Sequence, residues 1–183
     1  MTEESAGPEV VENREVEEAG PAKVMVRPAV PADTISLKVL LKRSLDEIRE
    51  GQFSRINDTK LRGYILVCIE EGACLVAELE GAIVGTICLR TLQEIWSDDH
   101  FLNEEWFYVL PAFRGTGAAV KLLDTAERLA DQMGLPVYMA INNHDPERTE
   151  LLFDHRVGYR RTGANYLRLP RNGQQEVHDD DDA

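Results

Sequence analysis

The residues best placed to do chemistry cluster between positions 98 and 119. Gly115-Thr116-Gly117 stands between the apolar run Trp106–Leu110, which Pro111 stops, and a long amphipathic stretch that ends at Gly134. Glycine has no Cβ, so another group can approach the backbone closely at such a turn. A turn that leads straight into a helix presents free N–H groups and a positive dipole end, which suit a phosphate or diphosphate. Arg114 adds a charge-assisted donor beside it. The pattern is not a Walker loop, because no Gly-Lys-Ser/Thr follows. It is not a dinucleotide fingerprint, because Ala118-Ala119 occupy the place of the third glycine. Immediately before Trp106 stand two carboxylates, Glu104 and Glu105, either of which could act as a general base. Simple strand alternation puts Glu105 on the face of Val109 and Glu104 on the face of Tyr108, which favours Glu105. Asp98-Asp99-His100 could attract a cationic amine, but contiguous residues seldom converge on one ion, so no metal site is predicted.

The surrounding elements must position these groups. Val24–Arg27 reads as a first strand ended by prolines. Asp33 or Thr34 then caps an amphipathic helix over 34–49, with Leu37, Leu40, Leu41 and Leu45 on one side. Asn57 opens a second helix that Gly72 ends, with Leu61, Ile65 and Cys68 on its apolar side. Ala73–Leu79 and Ala82–Leu92 are rich in β-branched residues, and Glu80-Gly81 joins them as a hairpin. Residues 93–104 read as a loop, 106–110 as a strand and 115–133 as a helix. Pro136–Ile141 is a continuous apolar run, expected to be a strand buried on both faces. A last helix over 146–156 and a last strand over 159–169 complete the order β-α-α-β-β-β-α-β-α-β, an α/β fold with a mixed sheet.

Charge divides the chain into three parts. The net charge of the 183 residues is −13, of which residues 1–22 carry −6 and residues 171–183 carry −4, leaving −3 for the body. The tails are short of large apolar side chains and read as disordered extensions flanking one domain over 23–170, able to dock a basic partner. Phosphate contacts to nucleic acid need clustered Lys and Arg, which the chain lacks, so no nucleic-acid role is predicted. No apolar run reaches the roughly 18 residues of a membrane helix. The acidic N-terminus has no secretory leader pattern, and the chain reads as cytoplasmic. Cys68, Cys74 and Cys88 lie in apolar segments without a CxxC pair, which predicts buried, reduced thiols.

The stretch Val109-Leu110-Pro111-Ala112-Phe113-Arg114-Gly115-Thr116-Gly117-Ala118-Ala119-Val120-Lys121-Leu122-Leu123 resembles the acetyl-CoA signature of the GNAT N-acetyltransferase superfamily. Val26-Arg27-Pro28-Ala29-Val30-Pro31-Ala32-Asp33 is similar to the family's first strand and the start of its first helix, and the element order matches over roughly residues 24–169. The resemblance implies an acetyl-CoA co-substrate. Val109 and Leu110 would pair with its pantetheine arm, and the backbone from Arg114 through Gly115, Thr116, Gly117 and Ala118 to Ala119 would cradle its diphosphate. The Val109 amide would polarise the thioester carbonyl. It also implies direct attack by a primary amine, small-molecule or protein-borne, and a domain of a kind that often forms homodimers.

The last helix departs from the family pattern. The family's tyrosine position falls on Phe153 or Asp154, neither of them a phenol, and its asparagine on Pro146 or Glu147. Asn143, just upstream, remains a coenzyme-side candidate, and Phe153 can pack against the pantetheine arm. Tyr159 is then a candidate to protonate the leaving thiolate. Two functions follow: an N-acetyltransferase acting on an amine, or a binding or assembly component of the same fold with little turnover.

Overall fold

The computed structural model describes residues 23–47, 55–71, 73–140, 152–154, 156 and 158–163. A five-stranded sheet in the order β1-β2-β3-β4-β5 forms its centre. Its strands are β1 (Met25–Pro28), β2 (Cys74–Leu79), β3 (Ala82–Gln93), β4 (His100–Val109) and β5 (Val137–Tyr138). Only the β4–β5 pairing is parallel. Helices α1 (Thr34–Glu47), α2 (Asp58–Glu70) and α3 (Ala118–Met133) flank it.

Period-2 alternation along the strands decides which helix meets which face. Cys74, Val76, Cys88 and Trp106 face α1 and α2, where they pack with Leu37, Leu41, Ile65 and Cys68. Leu75, Ala77, Ile87, Leu89 and Leu102 face α3, where they pack with Leu122, Leu123 and Ala126. Leu122 and Leu123 are fully buried, each contributing about 2 kcal/mol of apolar burial. The three cysteines are free and buried, and Cys74 lies directly across from Cys88. Local signals account for the element ends. The Asn57 side chain accepts the Lys60 N–H at 3.0 Å and starts α2. Glu80 and Gly81 adopt φ of 52° and 79°, the left-handed pair that a two-residue hairpin requires. Asp33 accepts the Val30 N–H and pairs with Arg27, which also reaches Glu78, so β1 is tied to the start of α1.

The structure corrects the sequence reading in four places. Residues 93–104 are not a loop, because β3 runs to Gln93 and β4 begins at His100, and their register continues to Gln93↔His100. The turn is only 94–99, closed by the Glu94 N–H to the Asp99 carbonyl at 2.9 Å. The polar residues that suggested a loop belong to the exposed far end of a long hairpin. The run 136–141 is not buried on both faces: β5 is two residues long and Tyr138 is 45% exposed. It is the edge of the described sheet, and residues 159–163, expected to start a further strand, are not in strand conformation. Helix α3 begins at Ala118, leaving Gly115–Gly117 in the turn. Most of the expected last helix and residues 164–169 lie outside the described residues, where 152–154 are helical. Among the described residues no helix is long and apolar enough to cross a membrane.

Candidate active site

The turn after β4 is assembled by short backbone bonds. The Phe113 N–H reaches the Leu110 carbonyl at 2.9 Å, and the Thr116 N–H and hydroxyl both reach the Phe113 carbonyl. Gly115 and Gly117 take φ of 96° and 86°, which L side chains rarely adopt. A Cβ built on either would meet nothing within 4 Å, so the turn borders open space. Gly117 is the N-cap of α3, no side chain caps that end, and no acidic residue stands in its first turn. The first amides of α3, from Ala118 onward, therefore keep N–H groups without an intrahelical partner at the positive end of the dipole. That cradle fits a diphosphate.

Among the described residues the edge of β4 leading to the turn carries no paired strand. β5 pairs with β4 at Leu102↔Val137 and Asn103↔Tyr138, and among the described residues no pairing on that side continues from Asn103 to Val109. The Leu110 N–H bonds Val84 O of β3 at 2.9 Å. Alternation then turns the N–H and carbonyl of Val109 toward that edge. Gly85 lies under this point. A Cβ there would come within 2.9 Å of Val109 Cγ2 and 3.3 Å of Leu122 Cδ1, so the missing side chain lets α3 settle against the end of β4.

Arg114 does not extend over the glycine turn. Its Nε donates to the Val109 carbonyl at 3.1 Å, and its Nη2 meets the Glu47 carboxylate at 2.5 Å. The guanidinium lies 5.6 Å from the centroid of the Tyr108 ring. The Tyr108 hydroxyl donates to the same Glu47 carboxylate, and burial, then that bond, push the phenol up to about 12.

The two carboxylates exchange the faces that alternation assigned them. Cys88 pairs with Trp106 and Leu89 with Glu104, so Glu105 is an extra residue in a β-bulge. The bulge reverses the parity of every position before it. Glu104 lies opposite Leu89 on the α3 face, and Glu105 accepts a hydrogen bond from Tyr64 of α2 on the opposite face. The placement of Glu105 beside Val109 is therefore corrected. Tyr64 is also reached by Arg90, which pairs with Glu71 at 2.7 Å, and its phenol is pushed up to about 12 by burial and then by Glu105. Glu104 accepts the Ala140 N–H at 2.9 Å, just beyond the Asn103↔Tyr138 pair. Burial raises its carboxyl to about 7, the Ala140 bond opposes this, and the charge of Glu105 adds to it.

Tyr159 and Phe153 pack together on the α3 side of the sheet. Tyr159 packs on Phe153 with ring centroids 5.0 Å apart and interacts with Glu127. Burial, then the charge of Glu127, push its phenol up to about 12. Glu127 is nine residues beyond Ala118, about 14 Å along the helix axis from the glycine turn. Tyr159 lines a cavity of about 250 Å³ with Glu127, Asp131, Leu135 and Val137 of β5. Phe153 is 8% exposed within the α3-side core, so its ring offers little surface to a pantetheine arm. Asn143 lies outside the described residues. Among the described residues no group of three or more His, Cys, Asp or Glu is placed to hold a metal ion. Tyr64, Glu47 and Arg90 were missed from sequence: each sits at an ordinary helix or strand position and carries no motif.

The comparisons with known proteins agree with this geometry. Comparison with curated proteins returns no match. Among solved structures, a ribosomal-protein-alanine N-acetyltransferase from Brucella melitensis biovar Abortus 2308 superposes with a TM-score of 0.63 at 19% identity, covering 81% of this chain and 99% of that one. A predicted acetyltransferase from Clostridium acetobutylicum, solved with acetyl-CoA, gives 0.61 at 18% identity over 81% and 96% of the two chains. An aminoglycoside N-acetyltransferase in complex with CoA gives 0.62 at 14% identity over 82% and 97%. These likenesses establish the fold. A profile of the acetyltransferase (GNAT) family matches residues 40–158, from within α1 through the glycine turn to Gly158. That match spans more than half of the chain, and the chain belongs to the GNAT acetyltransferase family, whose members use acetyl-CoA.

Proposed function

We propose that the protein is an N-acetyltransferase that transfers the acetyl group of acetyl-CoA to a primary amine, with Glu104 as the proton acceptor. The reading rests on one observation above all: the uncapped α3 terminus follows directly on β4, whose edge between Glu104 and Val109 has no strand partner among the described residues. Acetyl-CoA supplies an activated thioester. Backbone N–H groups of Gly115 and of Gly117 to Ala119 hold its diphosphate, and the edge of β4 before Val109 runs beside its pantetheine arm. The Val109 N–H is directed at the developing oxyanion of the carbonyl. The amine nitrogen forms a bond to the carbonyl carbon, the carbon–sulfur bond breaks, Glu104 takes the amine proton through bridging water, and the thiolate takes a proton from solvent. A carboxylate that titrates near neutrality is matched to that task, strong enough as a base yet ionised at working pH. Glu105, held by Tyr64 on the other face, shapes the acceptor side of β4 and adds negative charge for an ammonium.

The aminoglycoside and ribosomal-protein-alanine N-acetyltransferases among the structural neighbours frame the acceptor classes to test, a polycationic small molecule and a protein amine. The test is release of free thiol from acetyl-CoA with a panel of amines and basic peptides. Turnover with one class, lost in Glu104→Gln, supports the reading. Binding of acetyl-CoA without turnover on any amine supports a coenzyme-binding assembly component instead.

A further inference from the structure

The Arg114 side chain stands in the signature turn yet points away from it. Its Nε caps the Val109 carbonyl at 3.1 Å, the backbone group that faces the unpaired edge, and its Nη2 is drawn to Glu47 at the end of α1. Glu47 is engaged on both sides, since Tyr108, the residue before Val109, donates to it as well. Arg43 adds positive charge near Tyr108. Three elements, α1, the end of β4 and the glycine turn, thus meet at one carboxylate.

A guanidinium beside an anion cradle would ordinarily swing to the anion, because charge-assisted bonds to phosphate are among the stronger polar contacts. Here a competing carboxylate at 2.5 Å, an aromatic face at 5.6 Å and a carbonyl at 3.1 Å hold it instead. A residue held in that way fixes the position of Val109 and leaves the turn amides clear.

We propose that Glu47 is a positioning residue of the acetyl-transfer site: it holds Arg114 against Val109, so that Arg114 acts as a brace for the reacting strand edge and not as a diphosphate ligand. The proposal rests on the acetyl-CoA reading given above. Glu47→Gln keeps the size of the side chain and an acceptor for Tyr108 but removes the charge that restrains Arg114. The freed guanidinium can then reach the diphosphate while the Val109 edge loosens. Ground-state binding and turnover accordingly move in opposite directions, a signature that a merely structural loss would not give.

The experiment combines calorimetry with acetyl-CoA and steady-state thiol release for the full-length wild type, Glu47→Gln, Arg114→Gln and the double variant. The expected result for Glu47→Gln is acetyl-CoA binding about twofold to fivefold tighter, the range of one exposed ionic contact, with kcat lower by roughly tenfold from mispositioning. Arg114→Gln is expected to lower kcat similarly with Kd changed less than about threefold, and the double variant to be no worse than Arg114→Gln alone, because the two residues act as a unit. Arg114→Gln weakening acetyl-CoA binding by about tenfold or more at unchanged kcat would make Arg114 a phosphate ligand and overturn the proposal. Glu47→Gln within about twofold of wild type in both quantities would reduce the pair to an inert surface contact. Absence of heat with the wild type would instead refute the acetyl-CoA reading itself, and the brace with it. Thermal melting of each variant separates a lost fold from a lost function, and Arg114→Lys, which keeps the charge but not the forked donor, replaces Arg114→Gln if that variant is unstable.

Discussion

Replacing Glu104 by Gln is the perturbation with the most specific outcome. The carboxyl is raised to about 7, chiefly by burial, and is held in place by the Ala140 N–H, which a Gln side-chain oxygen can also accept. Gln therefore keeps the contact and removes the base. As the group must be ionised to take a proton, the wild-type rate is expected to rise with pH through about 7. One ionisation at that pKa leaves roughly a tenth of the sites ionised one unit below it and roughly nine tenths one unit above. Activity should thus rise about tenfold between pH 6 and pH 8. Glu104→Gln should lose about 10²- to 10⁴-fold in kcat, the usual contribution of a positioned base, and should lose this limb of the profile. The assay is thiol release at saturating acetyl-CoA, using an acceptor whose amine titrates well below pH 6, so that acceptor ionisation does not shape the curve. A variant within about threefold of wild type, or one that keeps the same limb, would refute Glu104 as the base.

Other outcomes follow from the same geometry. The carboxyl of Glu104 has a folded-state pKa above its ordinary 4.5, so it favours the folded state below pH 4.5 and this contribution is lost as pH rises through about 7. Melting of Glu104→Gln relative to wild type should consequently improve from pH 5 to pH 8, and an unchanged difference would show that burial does not set the shift. Gly85→Ala forces a methyl to within 2.9 Å of Val109 and should cost about 1–3 kcal/mol in denaturant unfolding. Tyr159→Phe removes the phenol beside Glu127, remote from the glycine turn, and should leave kcat within about twofold in thiol release. A loss of tenfold or more would restore Tyr159 as the thiolate acid.

Much of this was readable from residue types because the signals were local. The Asn57 cap, the Glu80-Gly81 hairpin and the glycine turn into α3 are each set by a few adjacent residues whose backbone preferences agree. The glycine turn is legible because an anion cradle is made of main chain, and sequence reports where side chains are missing. The faces of Glu104 and Glu105 were not legible. A single bulge reverses parity, and it arises from how β4 fits against β3 at Cys88 and Leu89, which pairing decides and composition does not. The same holds for Tyr64 and Glu47, whose partners are 41 and 61 residues away in the chain. Residues 93–104 were misread because a solvated hairpin carries polar residues much as a loop does. Arg114 follows the motif in sequence but not in orientation, since Glu47 competes for its charge.

The central claim is that acetyl-CoA lies along the edge of β4 with its diphosphate on the amides of Gly115 and of Gly117 to Ala119, and calorimetric titration of acetyl-CoA into wild type and Gly117→Trp tests it most directly. Gly117 has φ of 86° and open space beside it, so a Trp side chain adds roughly 1–2 kcal/mol of backbone strain and fills the cradle without striking the core. The account predicts saturable binding to the wild type and none to a Gly117→Trp protein that still melts cooperatively. Equal binding by both proteins, or no binding by the wild type, would contradict it.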